Sequence, residues 1–232
     1  MTTQQTQIKH ALSAWDAWNH LGFINRSDRL KKLSVELPQT RDASIKSLLR
    51  TLLDLSVTLE PIQVMPGPTG ESNELYLNGR GVALVIGDDS ASKTAMVGQV
   101  MAALATGNCV LLQWNGNREW VNDLVEKAHM FGLPNGVIQV LPDMPVEEAM
   151  AIEGIAIVAA VCNKDNARLM NRLLAQRNGL LVQLVAETHS EHCSHLLQPD
   201  HMLRFVTERT RTINTTAVGG NATLLELGST EL

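Results

Sequence analysis

Two short apolar runs decide what this chain can fold into. Residues 82–86 (VALVI) and 109–112 (CVLL) are continuous and rich in β-branched side chains. They are too short for helices and lack the alternation of a sheet with one wet face, so both read as strands buried on two faces. Between them Met96, Val97, Val100, Met101 and Leu104 recur at helical spacing on one stripe, and Gly107 and Asn108 follow as a helix stop. Strand, helix and strand make a βαβ unit, hence a parallel sheet with a right-handed crossover.

The alternation continues. Helices are expected over residues 119–131, 146–152 and 166–176, and strands over 137–141, 155–161 and 180–185. Upstream, residues 8–37 read as helix broken near Gly22, and 42–58 as a helix with Ile45, Leu48, Leu49, Leu52, Leu53 and Leu55 on a broad apolar face. Residues 60–71, dense in Pro and Gly, predict an extended arm with a turn, and 74–78 a short strand. At the carboxyl end, residues 203–213 alternate at strand period, and Gly219, Gly220 and Asn221 form a bend before 223–227, as in a β-ribbon. The expected class is therefore α/β: an open parallel Rossmann-like sheet (residues 61–200), with N-terminal helices packing on it (1–60) and a C-terminal β-flap (201–232).

Net charge is −5, only 3% of residues are aromatic, and Lys and Arg form no run, which argues against nucleic acid or an anionic membrane as partner. The first residues carry no cationic-then-apolar leader pattern, and no apolar run reaches membrane-spanning length, so the expected compartment is the cytoplasm. Cys109, Cys162 and Cys193 lie far apart with no paired spacing, which makes a disulfide framework an unsuitable reading.

Three stretches carry candidate chemistry. Residues 87–94 (GDDSASKT) follow a strand and open a helix, as a phosphate loop does, but Ser92 stands where that motif needs its second glycine, and Asp88 and Asp89 would repel phosphate. A solvated turn with acidic residues matched to the helix dipole is the better reading. His189, Glu191, His192, Cys193 and His195 form the densest group of metal-ligand types; on a helix, His189 with Cys193 or His192 with His195 could share a face. Their spacing fits no zinc motif, so a solvated His-rich helix without metal is expected. Cys162 ends an apolar strand, where α/β proteins bind ligands, yet no base stands beside it in sequence.

From Gly81 onward the segment order resembles the dinucleotide-binding domain of the aldehyde dehydrogenase superfamily. Residues 103–112 (ALATGNCVLL) and 131–140 (FGLPNGVIQV) are similar to two of its motifs at the separation found there. Residues 65–73 (MPGPTGESN) and 209–228 (RTRTINTTAVGGNATLLELG) look like the C-terminal region of the PutA family, which joins proline dehydrogenase to pyrroline-5-carboxylate dehydrogenase. The resemblance implies a catalytically silent module that docks on the dehydrogenase domain, or on a second copy, and closes a substrate-channelling cavity. Gly87, Gln113, Cys162 and Gln183 would line a vestigial crevice: Gln113 stands where working members carry the ribose-binding lysine, and Gln183 where they carry the general-base glutamate. No catalytic residue and no cofactor are expected, and the domain with the nucleophilic cysteine has no counterpart in these residues. Partner contacts are expected from Thr212, Asn214, Thr215, Thr216, Gly219, Gly220, Asn221, Leu224 and Leu225. The competing reading is a nucleotide (NAD)-binding, dehydrogenase-related protein that retains regulatory ligand binding in that crevice.

Overall fold

The computed structural model describes residues 3–36 and 43–214. Three helices open the chain: α1 (Thr3–Asn19), α2 (Gly22–Glu36) and α3 (Ala43–Val57). Strands β1 (Gln63–Met65) and β2 (Glu71–Gly79) follow. Then strand and helix alternate as β3 (Val82–Gly87), α4 (Lys93–Ala105), β4 (Cys109–Gln113), α5 (Arg118–Met130), β5 (Ile138–Val140), α6 (Val146–Ala151), β6 (Ile155–Val161), α7 (Lys164–Ala175) and β7 (Gln183–Glu187). A 3₁₀ turn (His201–Phe205) leads into β8 (Val206–Asn214).

The five central strands form a parallel sheet in the order β5-β4-β3-β6-β7. The chain starts at the middle strand, runs outward to β5, and then crosses to β6 on the far side of β3. Successive connections therefore diverge between β3 and β6, which makes the carboxyl ends of that pair the topological switch point. Every residue from 82 to 86 is at most 2% exposed, so both faces of β3 are covered, as the apolar run required.

Helix α4 is buried all round rather than along one stripe: residues 95–105 are all buried. The sheet takes one side, and α2 and α3 pack over the other. Its polar exception, Gln99, donates from Nε2 to the carbonyls of Ala160 (3.4 Å) and Val185 (3.2 Å), tying the helix to β6 and β7.

Two buried polar groups lock the N-terminal helices and the connections to this core. The Arg26 guanidinium donates to the carbonyls of Ala105 (3.0 Å), Asn19 (2.6 Å) and Trp18 (3.3 Å), placing a cation where α1 and α4 end. Burial, opposed by the charge of Glu60, lowers its pKa to about 10, so it stays protonated at neutral pH. Asn108 accepts from Gly81 N (3.0 Å) and donates to the carbonyls of Ala103 (3.2 Å) and Phe205 (3.0 Å). It thereby joins the α4–β4 turn to the entry of β3 and to the 3₁₀ turn.

A second sheet, antiparallel in the order β1-β2-β8, stands beside the first. Its central pairing runs from Glu71↔Asn214 to Gly79↔Val206. The expected strand at 203–213 thus begins three residues later, because residues 201–205 close a 3₁₀ turn that buries Met202 and Phe205. The ribbon draws strands from both sides of the α/β body, so a division at residue 201 separates β8 from its partner β2. Thr212 and Asn214 are exposed on β8, whereas Thr215, Thr216, Gly219, Gly220, Asn221, Leu224, Leu225 and the expected strand at 223–227 lie outside the described residues.

Candidate functional site at the switch point

The carboxyl ends of β3, β4 and β6 carry Gly87, Gln113 and Cys162. The side chain of Asp88 stands at the same end of the sheet, bordering a cleft with Gly87 and Gln113. Its Oδ2 accepts from Asn163 N (3.0 Å) and Asn166 Nδ2 (2.6 Å), and its Oδ1 from Ser90 N (2.8 Å) and Ser90 Oγ (2.6 Å). Burial alone would raise its pKa; the hydrogen bonds from Ser90, Asn166 and Asn163 more than reverse this and hold it below the ordinary carboxylate value. Asn163 caps α7, accepting from the backbone N–H groups of Asp165 (3.0 Å) and Asn166 (2.9 Å). The N–H groups of Asn163, Asp165 and Asn166 at this helix N-terminus, donors a phosphate would seek, are therefore bonded to groups of the chain itself.

This corrects the reading of residues 87–94 as a simple solvated turn matched to its own helix. Asp88 serves α7, not α4, and Ser92 alone caps α4 by accepting from Ala95 N at 3.2 Å. The physical reason is proximity across the sheet: β3 and β6 are adjacent, and the last β3 residue pairs with Val161, two residues before Asn163.

The rest of the crevice is closed by side chains. Trp114 donates from Nε1 to Asp88 O (3.2 Å), and its ring meets Trp120 edge-on at 5.4 Å. A Cβ on Gly87 would come within 2.9 Å of Met96 Sδ and of the Trp114 ring, so no side chain fits there. Gln113, 2% exposed, donates to Met144 O (2.7 Å) and Asn115 Oδ1 (3.2 Å), while its Oε1 has no partner. The cleft left between Gly87, Gln113, Met144 and Asn166 measures about 200 Å³, below the roughly 300–1,000 Å³ of ordinary ligand sites. Cys162 is 1% exposed, and burial reinforced by the Asp88 charge pushes its thiol up to about 12. Such a thiol is a packing group rather than a nucleophile at neutral pH.

Gln183 is not in this crevice. It opens β7 and pairs with Ile157, whereas the carboxyl end of that strand is Glu187, paired with Val161. The sequence placed the strand three residues early because residues 180 and 181 are leucines; both are more than 90% exposed in the loop before β7.

Glu187 is the acidic residue that pattern reading passed over. It is fully buried, and its carboxylate accepts from His189 N (2.8 Å), His195 N (2.8 Å), Leu196 N (3.0 Å) and His195 Nδ1 (3.1 Å). Those bonds wrap residues 188–196 around it as turns, not as the expected helix. The expected face-sharing pairs are accordingly not formed: His189 stacks near His195, with ring centres 5.2 Å apart. Cys193, at φ 50°, directs its thiol to Ser190 O (3.6 Å), and His192 is exposed outside the cluster. Glu187, His189 and His195 are brought together instead, their ligand atoms all within 4.8 Å of one another.

Among the described residues no helix is long and apolar enough to cross a membrane. No family model matches the chain. It is 30% identical over 166 residues to the bifunctional protein PutA of Escherichia coli strain K12, covering 72% of this chain and 11% of that protein. The chain spans only 11–13% of the length of the curated relatives it matches. A crystal structure of proline utilization A from Bradyrhizobium japonicum superposes with a TM-score of 0.68 at 26% identity, over 80% of this chain and 22% of that one. An NAD-dependent benzaldehyde dehydrogenase from Corynebacterium glutamicum shares the fold, with a TM-score of 0.65 at 16% identity over 80% of this chain and 45% of that one. The chain is thus a PutA-like domain with the aldehyde-dehydrogenase-like α/β fold.

Proposed function

We propose that this chain is a non-catalytic module of proline catabolism, working in the cytoplasm. It docks through its β-ribbon and the segment beyond it onto a proline dehydrogenase/pyrroline-5-carboxylate dehydrogenase, or onto a second copy of itself, and helps close a substrate-channelling cavity. The observation that carries this reading is Asp88: a carboxylate of the chain holds the α7 N-terminus where a dinucleotide phosphate would need it. With the crevice so occupied, the surface is what remains to work.

That surface suits docking. Among the described residues β8 is the last strand of its sheet, paired with β2, and residues 208–214 are exposed. A strand at the end of a sheet can take on another strand by main-chain hydrogen bonding. Leu180 and Leu181, 92% and 94% exposed, line a cleft of about 840 Å³ that Thr207 of β8 also borders, extending the same face with apolar groups. Removing residues 210–232 is expected to abolish association, measured by sedimentation with and without a PutA dehydrogenase, while circular dichroism of the α/β body persists. Unchanged association would refute the proposal.

One observation favours a second reading, residual or regulatory nucleotide binding. The Oε1 of Gln113 is a buried acceptor without a partner at the cleft, and a small donor could satisfy it. Calorimetric titration with NAD and with ATP separates the two readings: micromolar binding to either favours this one.

A further inference from the structure

We propose that Glu187, His189 and His195 form a binding site for a divalent transition metal, zinc foremost. Two imidazoles and one carboxylate are a set that zinc accepts with a fourth position left to water. Both imidazoles are accessible, His189 being exposed and His195 half-buried, so an ion can enter from solvent. The carboxylate is the fixed member: Glu187 is fully buried, and its Oε2 is held by His195 N (2.8 Å) and Leu196 N (3.0 Å). Backbone groups thus orient the ligand from behind, as outer partners do in metal centres.

The ligand atoms lie within 4.8 Å of one another. Tetrahedral zinc with bonds of about 2.0–2.1 Å needs its ligands roughly 3.3 Å apart, so closure requires shifts on the order of 1 Å. His189, on an exposed turn, can supply them by side-chain rotation. Without metal, His195 Nδ1 and Glu187 Oε1 stand 3.1 Å apart in hydrogen-bond contact. When the ion takes that place the ring proton sits on Nε2, and both atoms turn to the metal, so no buried charge is left unpaired. The net charge of the set becomes +1, from one carboxylate and a divalent ion.

The site would also report on the crevice. Ser190, between the two histidines, donates from Oγ to Ser90 O (2.6 Å), and its carbonyl accepts from Ser92 Oγ (2.7 Å). Fixing residues 187–195 therefore braces the β3–α4 turn that carries Asp88.

The test uses the full chain, stripped with a chelator, and titrated with Zn²⁺ by calorimetry and with Co²⁺ by visible absorption. One equivalent is expected, with a rise in melting temperature and the intense absorption of low-coordinate cobalt. His189→Ala and His195→Ala should each weaken Zn²⁺ by at least about tenfold, and the double variant should lose the cobalt spectrum. That double variant keeps five of the seven histidines, so it controls for casual surface binding. His192→Ala, on the same segment but outside the cluster, should bind as the parent does. No binding above buffer, a double variant that binds like the parent, or loss of binding in His192→Ala would each overturn the proposal.

Discussion

Replacing Asp88 by alanine tests whether the chain really spends its own carboxylate on α7. The variant loses two bonds across the switch point, to Asn163 N and Asn166 Nδ2, and two local ones to Ser90. Hydrogen bonds to a charged group contribute about 1.5–3 kcal/mol each when buried. Asp88 is only half-buried, and solvent screening cuts the cross-sheet pair to about 1 kcal/mol each. The loss is therefore about 2 kcal/mol, which for a chain of this size lowers Tm by roughly 4–8 °C. Asp88→Asn keeps one acceptor oxygen and should lose about half as much. The carboxylate pKa is depressed in the folded state, so its contribution is complete above the unfolded value of about 3.9 and is lost as pH falls through the lower folded value. Melts followed by circular dichroism at pH 7, with urea titrations toward pH 3, measure both. An alanine variant that melts within about 1 °C of the parent at pH 7 would refute the idea that Asp88 pins this helix.

Four other outcomes follow from the same geometry. Glu187→Ala strips the acceptor from four donors around a buried carboxylate and should cost about 3–5 kcal/mol in urea unfolding. Gly107, at φ +90°, leaves an added Cβ 2.6 Å from Asn19 Oδ1; Gly107→Ala should therefore destabilise by at least about 1–2 kcal/mol. His201 is buried with both ring nitrogens unpartnered, and burial first, then the Arg204 charge, lowers its pKa to about 4. Stability should fall by about 3 kcal/mol as pH drops from 6.5 to 4 on its account, and His201→Leu should flatten that window. The Cys109 thiol, pushed up to about 12 by burial, and that of Cys162 should resist alkylation at pH 8 until urea unfolds the chain.

The parts of the fold legible in the sequence were those set by continuous burial. The runs that became β3, β4 and β6 could be placed because doubly covered strands admit few polar residues, and the chain there has none before Gln113. The register of β7 was not legible. Leu180 and Leu181 mimic a strand start but face solvent, and the strand's end is marked by Glu187, an acid that only its surrounding N–H groups make tolerable in the interior. The same ignorance turned residues 189–195 into a helix, since helical spacing of His and Cys says nothing about a carboxylate that gathers backbone donors from a different element. Asp88 stands out in the sequence, but its partners lie 75 and 78 positions away in the chain. Local pattern cannot find them; the adjacency of β3 and β6 can. The β2–β8 pairing is not legible for a like reason, because neither strand shows a buried face of its own: β2 is half-buried along most of its length and β8 is exposed from residue 208.

The most direct measurement for the whole account is calorimetric titration of the intact chain with NAD at millimolar concentration, repeated on Asp88→Ala. With the α7 N-terminus held by Asp88 and a cleft of about 200 Å³ beside it, the parent should show no saturable heat, and the variant none stronger than millimolar. Saturable micromolar binding by the parent, weakened when Gln113 is replaced by leucine, would contradict it.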